Sequence, residues 1–412
     1  MAKYTLRQIY LSDADAQRER FSKAIEKYER IFGEKPERFF SASGRSEVGG
    51  NHTDHNCGRV LACAVSLDVI ACVTPRNDNI VRVKSEGFPE DEVDLSSLEP
   101  SQNELGISSS LIRGVAAALT RMGYKAGGFN GYTTSSVLKG SGISSSAAFE
   151  VLIGNIFNSL YNNGEIDAVK IAMASQTAEN EFFGKPSGLM DQMASSVGGF
   201  ITIDFKDLKN PEIKAISFDF AKAGYSLCIV DTKGSHADLT SEYAAIPAEM
   251  KSVAEFFAKD CLRELDKSTI LKNYEALRRR CGDRAVLRAL HFFDDNDRVV
   301  KQAQALENGD FETFLKLVNE SGYSSYCYLQ NIYASSDPRN QGMSLGLYTA
   351  KNVLGDRGAC RVHGGGFAGT IQAFVPNDLL DEFISAQENL FGKGACFVLS
   401  IRPVGGTEVD LT

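Results

Sequence analysis

A glycine-serine run that opens straight into an apolar stretch, VLKGSGISSSAAFE at residues 137 to 150, carries groups suited to meeting a phosphate. Gly140 and Gly142, on either side of Ser141, lack side chains, so the backbone there can take positive φ and approach a ligand closely. Ser144, Ser145 and Ser146 bring three hydroxyls to the same turn. From residue 147 to about 160, Ala148, Leu152, Ile156 and Leu160 recur at every fourth position, which predicts one buried helical face. The helix would begin at the loop, where free backbone N–H groups and the positive end of the dipole favour an anion and the hydroxyls could add metal contacts. The same composition also suits a loop that does no more than cap a buried helix.

Two common phosphate motifs are excluded. The run lacks the G-x-x-x-x-G-K-[ST] spacing of a P-loop. A formal G-x-G-x-x-G does occur at Gly364, Gly366 and Gly369, but the TIQAFVP that follows reads as a strand, whereas a dinucleotide fingerprint opens a helix. A second polar and glycine-rich segment, GRSEVGGNHTDHNCG at 44 to 58, places His52 and His55 beside Asp54. Their spacing is not the i, i+4 of a helical metal pair and no third ligand is evident, so a metal reading is set aside.

The elements that must position these loops are those of an ordinary folded chain. With 412 residues, 43% of them apolar, the sequence can bury a sizeable core and is long enough for two or three domains. A formal charge of −9 argues against a nucleic-acid partner, which normally meets a concentrated basic face. Nine cysteines lie scattered without a C-x-x-C pair, implying neither a zinc site nor a disulfide framework and fitting reduced thiols. Charges run throughout MAKYTLRQIYLSDADAQRER, and no apolar run approaches the ~18 residues that span a bilayer, so the expectation is a cytoplasmic protein without a membrane partner.

Periodicity gives a mixed α+β order. Residues 1 to 40 read as an amphipathic helix with Phe21, Ile25, Tyr28 and Phe32 on one face, stopped by Gly33, before a short strand at 38 to 42. A long strand is expected at 59 to 75, with 79 to 85 as its antiparallel partner across the PRND turn. A helix at 105 to 122 and a strand at 124 to 137 then lead into the glycine-serine run. Beyond it, helices are expected at 166 to 183 and from about 189, and strands at 200 to 205, 213 to 218 and 225 to 230. The chain then reads as mainly helical to about 318, with breaks near Gly282 and Gly309. Strands at 359 to 363, 370 to 375 and 395 to 402 flank a helix at 379 to 390, and the domain change is placed near 210 to 225. No internal repeat or low-complexity segment is apparent.

Three segments, GRSEVGGNHTDHNCG at 44 to 58, KGSGISSSAAFEV at 139 to 151 and RVHGGGFAGTIQAFV at 361 to 375, occur in an order that, with AENEFFGKPSGLMDQ at 178 to 192, resembles the galactokinases. These belong to the superfamily of galactokinase, homoserine, mevalonate and phosphomevalonate kinases (GHMP). The likeness spans nearly the whole chain, from GEKPERFFSASGR to CFVLSIRP. It implies a two-domain GHMP-kinase-like fold, with residues 1-215 carrying the sugar and phosphate-loop segments. Residues 216-412 would carry a ferredoxin-like core and the third glycine loop, with the active site between the domains. It also implies transfer of the γ-phosphoryl of ATP to the anomeric hydroxyl of a sugar, with Mg2+ bridging the phosphates, by a monomer or weak homo-oligomer. Carried over by position, Asp191 would be the catalytic carboxylate and Arg45 its guanidinium partner, a role for which Lys is a poor substitute. Ser146 and Glu179 would hold magnesium. Gly140, Ser141, Gly142, Ser144 and Ser145 would cradle phosphates together with Ser146, while Gly364, Gly365 and Gly366 would let a second loop approach the nucleotide; these glycines could equally form a simple hairpin turn.

For the sugar, the resemblance points to Asn51, His52, Asp54, Gly188 and Tyr243. Asn51 stands where galactokinases typically carry glutamate, and an amide is neutral and can both donate and accept. Ser46, Glu47 and Gly49 also depart from the usual RVNLIGEH wording, and Ser43 replaces a usual proline. Galactose is therefore the first expectation, with galacturonate, glucuronate, arabinose or N-acetylgalactosamine as alternatives. A non-catalytic sugar and ATP sensor is a further alternative, and the intact SSSAA run speaks against it.

Overall fold

The computed structural model describes residues 3–137, 143–208, 210–234, 239–367 and 369–412. The first long helix, Ala14–Phe32, turns Phe21, Ala24 and Tyr28 into the protein and ends at Gly33, whose φ of 74° suits a residue without a Cβ. Around and beyond it run β1 (Tyr4–Thr5), β2 (Arg38–Gly49), β3 (Arg59–Pro75), β4 (Ile80–Ser85), β5 (Glu90–Asp94) and β6 (Phe129–Ser135). They are followed by β7 (Phe200–Asp204), β8 (Glu212–Ile216), β9 (Tyr225–Asp231), β10 (Ala359–His363), β11 (Thr370–Pro376), β12 (Cys396–Leu399) and β13 (Thr407–Asp410).

Nine strands form one sheet, in the order β1-β13-β2-β3-β6-β4-β5, with β7 added beside β3 and β8 beside β7. β3 is its spine. β2 runs antiparallel along one edge, while the other edge is shared by β6, against 69–75, and β7, against 59–63. The second sheet is antiparallel throughout, in the order β10-β11-β9-β12. The switch of sheet falls between β8 and β9, yet β13 returns to the first sheet and lies between β1 and β2.

Two expectations are corrected. The 79 to 85 strand does not pair with β3; β6 lies between them, and β4 joins it in parallel and β5 in antiparallel fashion. Alternation fixes which side chains face inward but not which strand lies alongside. The strand expected at 38 to 42 continues to Gly49, so Arg45, Ser46 and Glu47 belong to β2 and not to a loop. A register shift between Ser43 and Arg45 marks a bulge at the residue that matters most.

The helix after the serine run, Ser145–Tyr161, is buried on nearly every side, including Ala148, Leu152 and Ile156 and also Val151, Ile153 and Phe157. A mostly apolar helix buried on all sides, with only Glu150, Asn155, Asn158 and Ser159 as polar buried residues among those described, belongs inside a protein rather than on one face of it. It packs on β2 and β3 and on the helices Ala168–Thr177 and Met190–Val197. Burying each Leu, Ile or Phe there contributes roughly 1.5–3 kcal/mol. The two sheets are joined by buried polar groups: Ser46 Oγ donates to Gln372 Oε1 (3.0 Å), Gln372 Nε2 to the Glu47 carbonyl (2.6 Å), and Arg361 to Glu47 Oε1 (2.8 Å). No helix among the described residues is long and apolar enough to cross a membrane.

Candidate active site

At the β2 bulge the strand meets two other segments. The Arg45 N–H donates to the Ile143 carbonyl at 3.2 Å, and a Cβ on Gly44 would stand 2.5 Å from Ile143 Cγ2, so only glycine lets the serine run lie this close. Arg45 Nε then donates to Asp191 Oδ1 at 2.7 Å, and Ser144 Oγ donates to Asp191 Oδ2. Asp191 sits in the first turn of helix Met190–Val197, where the dipole favours a negative charge. Burial pushes its pKa up, but Arg45, the Ser144 hydroxyl and Lys185 outweigh this and hold the carboxyl below its ordinary range. It is an ionised, oriented acceptor.

Beside it is a second acidic group. Glu179 lies in the π-helical turn Ala178–Phe183 that continues helix Ala168–Thr177. Its Oε1 accepts from Ser146 Oγ (3.0 Å) and Lys185 Nζ (2.7 Å), and its Oε2 from Gln192 Nε2 (2.8 Å). The same Gln192 nitrogen reaches Glu150 Oε2 at 3.1 Å. Burial, and next the nearby Glu179, push the Glu150 carboxyl well above its ordinary pKa. Ser146 and Glu179 present a hydroxyl and a carboxylate, the hard oxygens that suit magnesium. Among the described residues no group of three or more His, Cys, Asp or Glu side chains is placed to hold a metal.

Three of the residues expected at the sugar, Asn51, His52 and Tyr243, bind the third glycine turn. Asn51 Nδ2 donates to the Gly364 carbonyl (2.8 Å), His52 Nε2 meets the Gly365 carbonyl (2.9 Å), and Tyr243 OH donates to the Gly366 carbonyl (2.7 Å). Facing a carbonyl, Nε2 of His52 must carry the ring proton. Burial, and then His55, lower the His52 pKa to about 4, so the ring is neutral near pH 7. A Cβ on Gly365 would fall 2.7 Å from Tyr243 Cε1, and one on Gly366 only 2.0 Å from the Asn331 carbonyl, so both glycines are required by close packing. Gly188 lies against Asp54: a Cβ there would stand 2.6 Å from Asp54 Oδ2.

Asn51 differs from its expected role. It is fully buried, and its side chain is engaged by the protein on every side. Nδ2 also donates to Glu47 Oε1 (2.9 Å), and Oδ1 accepts from Asn331 Nδ2 (2.8 Å) and Ser325 Oγ (3.2 Å). In this structure it supports the glycine turn instead of opening toward a ligand. Gly140, Ser141 and Gly142 lie outside the described residues. Ser145 forms the first turn of the serine helix.

Several supporting residues carry no sequence signal of their own. His291 and Asp295, one turn apart on helix Asp283–Glu307, hold the backbone that follows β2: Asp295 Oδ2 accepts from the N–H groups of Gly50 (3.1 Å) and Asn51 (2.8 Å), and His291 Nε2 meets the Asn51 carbonyl (3.0 Å). Asn331 binds the glycine turn from the other side, through Nδ2 to the Gly365 carbonyl (3.1 Å) and through its own carbonyl to the Phe367 N–H (2.6 Å).

Comparison with known proteins bears on the same segments and on the fold. Residues 26–75 match the galactokinase galactose-binding signature, and residues 109–199 match the GHMP kinase N-terminal domain. The galactokinase of Lactococcus lactis, solved in complex with galactose, superposes with a TM-score of 0.79 at 25% identity, covering 94% of this chain and 99% of that one. The mevalonate kinase of Methanococcus jannaschii shares the fold, with a TM-score of 0.62 at 14% identity over 88% of this chain and 98% of its own. A D-glycero-D-manno-heptose 1-phosphate kinase shares it too, with a TM-score of 0.61 at 15% identity over 91% and 99%. The paired carboxylate and guanidinium stand within a galactokinase galactose-binding signature and a GHMP kinase N-terminal domain, and these matches indicate a sugar kinase whose fold is similar to that of a galactokinase.

Proposed function

We propose that the chain phosphorylates galactose at its anomeric hydroxyl, using ATP and giving galactose 1-phosphate and ADP. The observation that carries this reading is the Arg45–Asp191 pair, standing between the serine run and a segment that matches a galactose-binding signature. The anomeric oxygen forms a bond to the γ-phosphorus as the bond to the β–γ bridging oxygen breaks, and the hydroxyl proton passes to Asp191. Arg45 keeps that carboxylate ionised and stabilises charge at the reacting oxygen. Ser146 and Glu179 would hold Mg2+, which neutralises phosphate charge when bound. His52, Asp54, Gly188 and Tyr243 form the sugar side, with Asn51 behind them.

The active site is read as lying between domains 1-215 and 216-412, with β13 returning to the first. The proposed location is the cytoplasm, where ATP is abundant. The test is sugar-dependent ADP release over galactose, galacturonate, glucuronate, arabinose and N-acetylgalactosamine. Turnover highest with galactose is expected; release with none of them, on folded protein, would overturn the reading.

A further inference from the structure

Ser144 is an odd residue for its place. It occupies the N-cap of helix Ser145–Tyr161 with φ 57° and ψ 71°, a left-handed conformation that non-glycine residues rarely adopt. A serine at that position commonly caps its own helix, but this one makes no side-chain cap bond. Its hydroxyl crosses instead to Asp191 Oδ2, on a different helix. The segment is also fastened from behind, because the Ile143 carbonyl holds the Arg45 N–H at 3.2 Å. Strain of this kind persists only where the surroundings fix it, and here they aim one hydroxyl at one carboxylate oxygen.

The bond also bears on what that hydroxyl can do. A donor directed at a carboxylate is not directed at a phosphate, and bringing a phosphate to the same hydroxyl would set two anions together. Asp191 has one donor on each oxygen, Arg45 Nε on Oδ1 and Ser144 Oγ on Oδ2. Two donors on opposite oxygens fix the plane of the carboxylate, and each oxygen keeps a further acceptor position for an incoming hydroxyl.

We propose that Ser144 is a positioning residue for Asp191, one that sets the orientation in which the carboxylate receives the sugar proton, and not part of the phosphate cradle. This rests on the reading of Asp191 as the proton acceptor. Removing the hydroxyl leaves the carboxylate turned by Arg45 alone.

The experiment compares Ser144→Ala and Ser144→Gly with the unsubstituted chain, measuring kcat, KM for each substrate, the acid limb of the kcat/KM profile, and binding of a non-hydrolysable ATP analogue. Both variants should lose about tenfold to a hundredfold in kcat, with analogue affinity held within about twofold. The acid limb should move to higher pH, because a hydrogen bond that favours the ionised carboxylate is gone. The other charged groups bearing on Asp191, namely Arg45, Lys185 and Glu150, stay in place in both variants. Ser144→Gly suits the left-handed backbone, so it keeps the test open if Ser144→Ala folds poorly. Weakened analogue binding in step with kcat, or an unmoved acid limb, would overturn the proposal. Absence of turnover in the unsubstituted chain would instead overturn the kinase reading, and the analogue-binding arm would still report whether Ser144 touches the nucleotide.

Discussion

Around Asp191 the chain sets charge against charge, with Arg45 on one carboxylate and Lys185 on the next, whereas around Asn51 neutral side chains hold three successive backbone carbonyls. In the proposed reaction the first region would receive a proton beside a phosphoryl group in transfer, which suits a site whose balance is set by the ion pairs of Arg45 and Lys185. The second has to present a fixed shape to a polar ligand, so its groups are spent on holding backbone. Loss of a group from the first region should therefore appear in turnover, and loss of one amide or hydroxyl from the second should appear in stability or sugar affinity.

The comparison breaks most clearly at Asp191. Asp191→Asn keeps the shape and removes the base, and kcat should fall about a thousandfold with the melting temperature nearly unchanged. A variant that stayed active and folded would remove Asp191 from the chemistry. On the neutral side, Asn51→Asp should act through folding: it exchanges the donor that meets Glu47 and the Gly364 carbonyl for a second buried carboxylate. A cost of about 3 kcal/mol is expected in denaturant titration, and a full-stability variant would show that Asn51 is not the support described above.

Arg45→Lys retains a positive charge but loses the Nε donor geometry, so kcat should drop about a hundredfold while sugar and ATP affinities hold. Tyr243→Phe removes only the hydroxyl that reaches the Gly366 carbonyl. It should raise KM for the sugar a few-fold, about 1 kcal/mol, with little change in kcat. The smallest effect concerns pH. Because burial lowers the His52 pKa to about 4, sugar binding measured by calorimetry should stay flat as pH falls from about 8 toward about 5. The sign follows from linkage: the folded state disfavours the protonated ring, so the associated stability is complete above the unfolded pKa and is lost as pH falls toward the folded value. A fall in affinity near the ordinary histidine pKa would place His52 in a wetter, less constrained setting.

The parts of this site legible in the sequence were those with unusual composition. Glycine where backbones must touch and serine where hydroxyls are needed leave a local mark, and Gly44, Gly365 and Gly366 all prove to be points of close approach. His291, Asp295 and Asn331 left none, because they act from ordinary helices and loops on backbone groups far away in sequence. Asn51 was readable as a departure from the family wording, but its burial beneath Ser325 and Asn331 depends on segments that no local pattern connects to it. The longer strands were legible, but the short β1, β5 and β13 were not, and neither was strand partnership: β4 alternates as a half-buried strand should, and only the path of the chain sets β6 beside it.

Strand β13 bears on how the molecule is made. Tyr4 pairs with Val409, and Ser41 with Thr407, so residues at the start of the chain await partners that leave the ribosome after the whole second sheet. Domains generally fold in order of synthesis, yet the edge formed by β1, β13 and β2 can zip up only after residue 410 has emerged. The half of the molecule that is translated first is thus the one completed last, and a nascent chain stalled before residue 407 would expose the flank of β2 to other unpaired strands.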